Sequence, residues 1–179
     1  MRRSSFCAIR VPARVQIVPT PDLAHAKTLA KRAGALRAPA VYMPAALAQV
    51  EELTQKIIGC AIEVHRLLGP GLLESVYREC MMIEMRQAHL RVESERHVPL
   101  EYKGQHISGG LKLDLLVENC VVVELKAVER LHPIHSAQVI TYLKLTGHPA
   151  ALLMNFNCAT LKAGLKRLDH PDRYVQKTF

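Results

Sequence analysis

Apolar positions along the chain recur at two intervals, and each interval predicts a different element. From Leu53 to Leu68 the recurrence is helical; Pro70-Gly71 breaks it, and a second helical pattern from Leu73 to Ala88 sets Leu73, Val76, Tyr77, Cys80 and Ile83 on one face. Short strands are expected near Val98 to Tyr102 and Gln105 to Ser108, with Gly104 in the turn, and two apolar runs follow, Leu111 to Val117 and Cys120 to Leu125. Val121-Val122-Val123 is apolar on both faces and so predicts a central strand. A helix from Ile134 to Thr146 stopping at Gly147, a strand from Ala150 to Asn155 and a helix near Leu161 to Leu168 complete the order. Helices that bracket a set of strands place the fold in the α/β or α+β class and exclude an all-β one.

Charge at the end of the central strand changes this picture. Glu124 and Lys126 are two apart, so both side chains lie on the same face of the strand. A carboxylate on a central strand is costly unless something neutralises it, and a divalent cation would do so. Asp114 stands ten residues earlier in the neighbouring run, and the short link predicts an antiparallel hairpin. A two-residue loop, Glu118-Asn119, would send Asp114 and Glu124 to opposite faces. A three-residue loop, Glu118 to Cys120, with Asn119 or Cys120 in the left-handed conformation, sets them directly opposite, with β-carbons about 5 Å apart. The three-residue loop is the expectation adopted. Glu74 is a third acid, in the first turn of the second helix. There the helix dipole and an i,i+4 contact with Arg78 account for it without any function.

Together, Gly71-x-x-Glu74-x-x-Tyr77, Asp114 and Glu124-x-Lys126 resemble the GxxExxY family of the PD-(D/E)xK nuclease superfamily. The likeness runs from about Leu53 to Leu168. It takes in Ile62-Glu63-Val64-His65-Arg66, Leu68-Gly69-Pro70-Gly71, Gln138-x-x-x-Tyr142 and Asn155-Phe156-Asn157. One departure is Leu113, where the superfamily's name has proline. The resemblance implies a restriction-endonuclease-like core, a mixed sheet flanked by helices. It also implies Glu74, Asp114 and Glu124 as magnesium ligands and Lys126 beside the attacking water.

Such a site suits phosphodiester hydrolysis. Magnesium, or manganese in its place, takes oxygen ligands and keeps several waters, so these carboxylates with a backbone carbonyl, that of Leu125, make a partial shell. Bound metal lowers the water's pKa and polarises the phosphoryl oxygen, while Lys126 orients the water or offsets developing charge. Three carboxylates crowded together repel, so at least one is expected to titrate above its reference value. Gln138 and Tyr142, four apart on one helical face, are candidate nucleic-acid contacts, a similar pair lying near the DNA in the exonuclease branch; simple packing of Tyr142 is the other reading. The functional expectation is a metal-dependent nuclease acting on nucleic acid, DNA in particular. The competing one is a catalytically inactive nucleic-acid- or protein-binding module that keeps the fold. Nine histidines offer no pair with convincing zinc spacing, and His65 reads as a supporting or structural residue.

Composition refines the boundaries. The net charge of +8 is unevenly placed: before Met43 eight Lys or Arg face a single acid, Asp22, giving +7, while the remaining 16 basic and 15 acidic residues give +1. Bulk charge therefore says nothing about a nucleic-acid face on the core, which must come from local clusters such as Lys126, Arg130, Lys144, Lys162, Lys166 and Arg167. Residues 1–45, with five prolines and little periodicity beyond Asp22 to Leu36, read as a basic, disordered extension, or as sequence upstream of a true start at Met43; residues 46–179 read as the nuclease-like domain. Five scattered cysteines without a CxxC, and no apolar run long enough for a membrane span, point to reduced thiols in a cytoplasmic protein that does not engage a membrane.

Overall fold

The computed structural model describes residues 42–172, with side chains from residue 47 onward. Its elements are helix α1 (Tyr42–Leu68), helix α2 (Glu74–Gln87), strands β1 (Val92–Tyr102), β2 (Gln105–Val117) and β3 (Val121–Lys126), helix α3 (Pro133–Thr146), strand β4 (Ala150–Asn155), the short helix α4 (Leu161–Gly164) and strand β5 (Leu165–Asp169). The strands form one sheet in the order β1-β2-β3-β4-β5. Only β3 and β4 run parallel, and α3 makes the crossover that a parallel pair requires. This is an α+β fold with a mixed five-stranded sheet between helices.

Period-two alternation divides the core into two layers. Val121, Val123 and Leu125 of β3, with Leu152 and Met154 of β4, pack on one face against Ile57, Ala61 and Val64 of α1 and Tyr77, Met81 and Met85 of α2. Val122, Ala151 and Leu153 pack on the other face against Val139, Tyr142 and Leu143 of α3. A central strand buried on both sides is what Val121-Val122-Val123 predicts. Gly147 closes α3 in the left-handed conformation, as expected of a helix stop.

Three elements differ from the sequence reading. Helix α1 begins at Tyr42 rather than Leu53, so it takes in the end of the expected N-terminal extension. The rest of that extension, with the stretch from Asp22 to Leu36, lies outside the described residues. The short strands expected at Val98 to Tyr102 and Gln105 to Ser108 belong to one long β1–β2 hairpin, whose register shifts between Val98 and Leu100. Gly110 permits that shift: its φ is 53°, and a β-carbon there would come within 2.4 Å of the Val98 carbonyl oxygen. Last, the helix expected from Leu161 to Leu168 stops at Gly164 and the chain continues as β5, paired antiparallel with β4. Leu161, Leu165 and Leu168 fit a helical stripe, yet Leu165 packs into the α1/α2 layer and Leu168 into the α3 layer. The open edge of β4 decides the outcome, because its backbone groups need partners.

Among the described residues no helix is long and apolar enough to cross a membrane. Gly164 is fixed by contact: an added β-carbon would lie 2.3 Å from the Asn155 carbonyl oxygen and 2.9 Å from Cys158 Sγ. Gly164→Ala should therefore cost roughly 1–3 kcal/mol of stability. Urea denaturation of the variant beside the parent protein measures this, and a change smaller than about 0.5 kcal/mol would contradict so tight a turn.

Candidate active site

Tyr77 explains why the segment before α2 is fixed. Its ring is fully buried and stacks on Phe156 with centroids 4.4 Å apart, while its hydroxyl donates to the Gly69 carbonyl (2.6 Å) and accepts from the Leu72 N–H (3.2 Å). The turn over residues 69–72 is thus tied to the first turn of α2, where Glu74 lies on the side facing β3. There Glu74 Oε1 accepts the Ala127 N–H at 3.0 Å. Carboxylates near a helix N-terminus are favoured by the dipole, so both local and tertiary forces hold this one.

The β2–β3 ladder pairs Leu115 with Val123, Leu116 with Val122 and Val117 with Val121, leaving Glu118, Asn119 and Cys120 as a three-residue loop. That is the odd loop that sets Asp114 opposite Glu124; Asn119 has the expected positive φ, and Glu118 shares it. The ladder ends at Leu115, and beyond it the two strands part. Asp114 Oδ2 then accepts the Leu125 N–H at 2.9 Å, a side chain standing where a backbone carbonyl would otherwise pair. Strand alternation slips here as well, since Leu113 packs in the α3 layer but Leu115 in the α1/α2 layer. Glu124 lies in the same wedge, 3% exposed, and Glu124 Oε1 accepts from Lys126 Nζ at 2.6 Å. Its other oxygen, Oε2, is buried without a hydrogen-bond partner.

The electrostatics follow from this crowding. Burial, then the Asp114 charge, then the Glu74 charge push the Glu124 carboxyl up to about 7, against the pull of Lys126. One of the three acids thus titrates well above the usual carboxylate range, chiefly because it is buried and secondarily because Asp114 repels its charge. Burial alone would lower the Lys126 ammonium, but its hydrogen bond to Glu124 and the charges of Glu124, Glu74 and Asp114 prevail and raise it. Tyr142, on α3, feels the same field: burial first and Glu124 second raise its phenol, while a 2.7 Å hydrogen bond from Gln138 Nε2 opposes them. Gln138 and Tyr142 therefore meet each other and border the acids.

A family model for the PD-(D/E)XK nuclease superfamily matches residues 51–168, which span every element that carries these side chains. The chain belongs to the PD-(D/E)XK nuclease superfamily. Comparison with curated proteins and with solved structures gives no match. The five-stranded mixed sheet with flanking helices is the restriction-endonuclease-like fold of this superfamily.

Superfamily members generally use divalent metals, and the residues present fit such an ion in part. Among the described residues no three His, Cys, Asp or Glu side chains are grouped so as to hold a metal ion. Each acid turns to a different donor instead: Glu74 to Ala127, Asp114 to Leu125, Glu124 to Lys126. Mutual repulsion favours that dispersal, and the unpartnered Glu124 Oε2 is the atom a cation would satisfy. The Leu125 carbonyl agrees with this. In a strand a residue's N–H and C=O point to the same edge; Lys126 gives its carbonyl to the Phe156 N–H on the β4 side, so that of Leu125 turns toward the gap beside β2.

Sequence reasoning noted Asn155 only as part of a motif. The structure shows a clamp: buried Asn155 accepts the Val128 N–H through Oδ1 (3.0 Å) and donates to the Val128 carbonyl through Nδ2 (2.7 Å), fixing the segment just after Lys126. A buried Asn at a strand's C-terminal end is the signal that could have revealed it. His65, buried on α1, has its Nε2 2.9 Å from the Cys158 carbonyl oxygen, a contact that ties α1 to the segment after β4. Of the proposed basic contacts, Arg130, Lys144, Lys162 and Lys166 are exposed, whereas Arg167 is engaged by Glu51 and Asp169.

A pH dependence follows for metal-free protein. Glu124 titrates near 7 when folded and near 4.5 when unfolded, so between those values the folded state holds the extra proton and stability falls as pH rises, levelling off above about 7. Glu124→Gln removes the penalty and should be more stable than the parent at pH 8 by up to about 3 kcal/mol, with little difference at pH 4.5. Thermal melts in EDTA across this range check the sign; a variant less stable at pH 8 would reject the raised carboxyl.

Proposed function

We propose that this protein is a metal-dependent nuclease of the GxxExxY type that hydrolyses phosphodiester bonds, with DNA as substrate and magnesium, or manganese, as cofactor. The observation that carries the proposal is the meeting of Glu74, Asp114, Glu124 and Lys126 where β2 and β3 part, with one buried carboxylate oxygen left unsatisfied. A divalent ion bound there supplies an activated water and neutralises charge on the phosphate.

The chain's own residues do the rest. Asp114 and Glu124 on adjacent strands, Glu74 at the start of α2 and the Leu125 carbonyl are the groups that would hold the ion. Lys126 shares its ammonium with Glu124 and, once that carboxylate has another partner, is released to hold the attacking water or a phosphate oxygen. Its raised pKa keeps it cationic, which suits an orienting and charge-offsetting role rather than that of a general base. Tyr142 and Gln138 supply a hydroxyl and an amide at the α3 side of the cleft, where they would contact the nucleic acid backbone.

Purified protein incubated with labelled DNA and millimolar magnesium should cut it, and EDTA should abolish cutting. Asp114→Ala, Glu124→Ala and Lys126→Ala should each lower the rate by about 100-fold or more, the size expected for loss of one main electrostatic contributor. Magnesium should also raise the melting temperature of the parent protein. Full activity in the aspartate or glutamate variant would reject the site, and DNA binding without cleavage, indifferent to EDTA, would identify an inactive binding module.

A further inference from the structure

Arg78 is one turn along α2 from Glu74 and therefore on the same face. Its guanidinium lies 3.8 Å from Asp114 Oδ1 and 3.3 Å from Glu95 Oε1. Asp114 Oδ2 is already committed to the Leu125 N–H, so Arg78 addresses the oxygen that remains. Glu95 is held in an unusual way. The β1–β2 register passes from Ser94↔Leu115 to Arg96↔Leu113, which sets Glu95 across from Asp114, and Glu95 has a φ of 52°, in the left-handed region that a non-glycine residue seldom adopts. From there it also accepts from Lys112 Nζ at 2.5 Å. Arg78 is thus shared between an acid inside the cleft and a strained acid outside it.

We propose that Arg78 is a positioning residue that competes with the cation for Asp114, and that Glu95 draws Arg78 aside and so tunes the strength of metal binding. The inference rests on the nuclease reading of the acids, since Asp114 must be a ligand for the competition to matter. A cation beside a metal-binding carboxylate opposes a second cation by like-charge repulsion and occupies an oxygen the ion would use. In the metal-free protein the same contact offsets part of the repulsion among the acids. Strain at Glu95 is the kind of cost that persists where surrounding structure enforces it. The paired residues on either side, Ser94 with Leu115 and Arg96 with Leu113, supply that enforcement, while Lys112 and Arg78 both meet Glu95 Oε1.

Manganese binding to the DNA-free protein, followed by electron paramagnetic resonance and by calorimetry with magnesium, tests this without reference to activity. Arg78→Gln should bind the ion about three- to tenfold more tightly, whereas Glu95→Gln, at an exposed position, should bind it about threefold more weakly. In the Arg78→Gln background the Glu95→Gln change should add little, because its effect passes through the guanidinium. Unchanged affinities, shifts of the same sign, or an undiminished Glu95 effect in the double variant would each overturn the proposal. Absence of manganese binding by the parent protein would instead overturn the nuclease reading itself.

Discussion

Everything at the candidate site depends on β2 and β3 separating beyond Leu115 and Val123 while remaining one sheet. Adjacent strands normally exchange backbone hydrogen bonds along their whole length, and ending a ladder inside a buried sheet strands donors and acceptors. Here the Asp114 carboxylate takes the Leu125 N–H, so the strands part without leaving that donor bare. Beyond the end of that ladder β3 continues with Glu124 and Lys126, whose side chains pair with each other. A single side-chain substitution for a backbone carbonyl therefore both makes the cleft and places the first acid in it.

Rigid supports surround that opening. Tyr77 ties the turn over residues 69–72 to α2, Phe156 stacks on Tyr77, and Asn155 grips Val128 from the end of the parallel neighbour β4. These contacts fix the backbone of residues 126–128, whose Ala127 N–H in turn holds Glu74. Against this scaffold Glu124 carries an uncompensated burial cost, increased by the neighbouring Asp114 charge and visible in its elevated carboxyl and unpartnered oxygen. Stability is given up locally in exchange for a concentrated negative field, a common arrangement where a protein binds a cation or moves a proton.

Much of the fold was legible because periodicity reports burial directly. The strand from Ala150 to Asn155 is where its apolar run sets it, and the helices α2 and α3 differ from expectation by a residue at their ends. Misreadings fall where local pattern and tertiary demand diverge. Leu165 and Leu168 fit a helix as well as a strand, and only the unpaired edge of β4 selects the strand. Gly109-Gly110 looks like a break between elements, yet in the hairpin it absorbs a register shift and joins them.

The sequence alone determined the central apolar strand and the spacing of Glu124 and Lys126, because these follow from a backbone period of two; it left two loop lengths open between Asp114 and Glu124, and the paired ladder selects the three-residue one. Tertiary structure decided what those residues meet. The slip in alternation at Asp114, the handover of the Leu125 N–H to a side chain, the Asn155 clamp and the sharing of Arg78 between Asp114 and Glu95 join positions far apart in the chain. Such contacts depend on how layers pack and on which buried donors lack partners, and no local pattern encodes either.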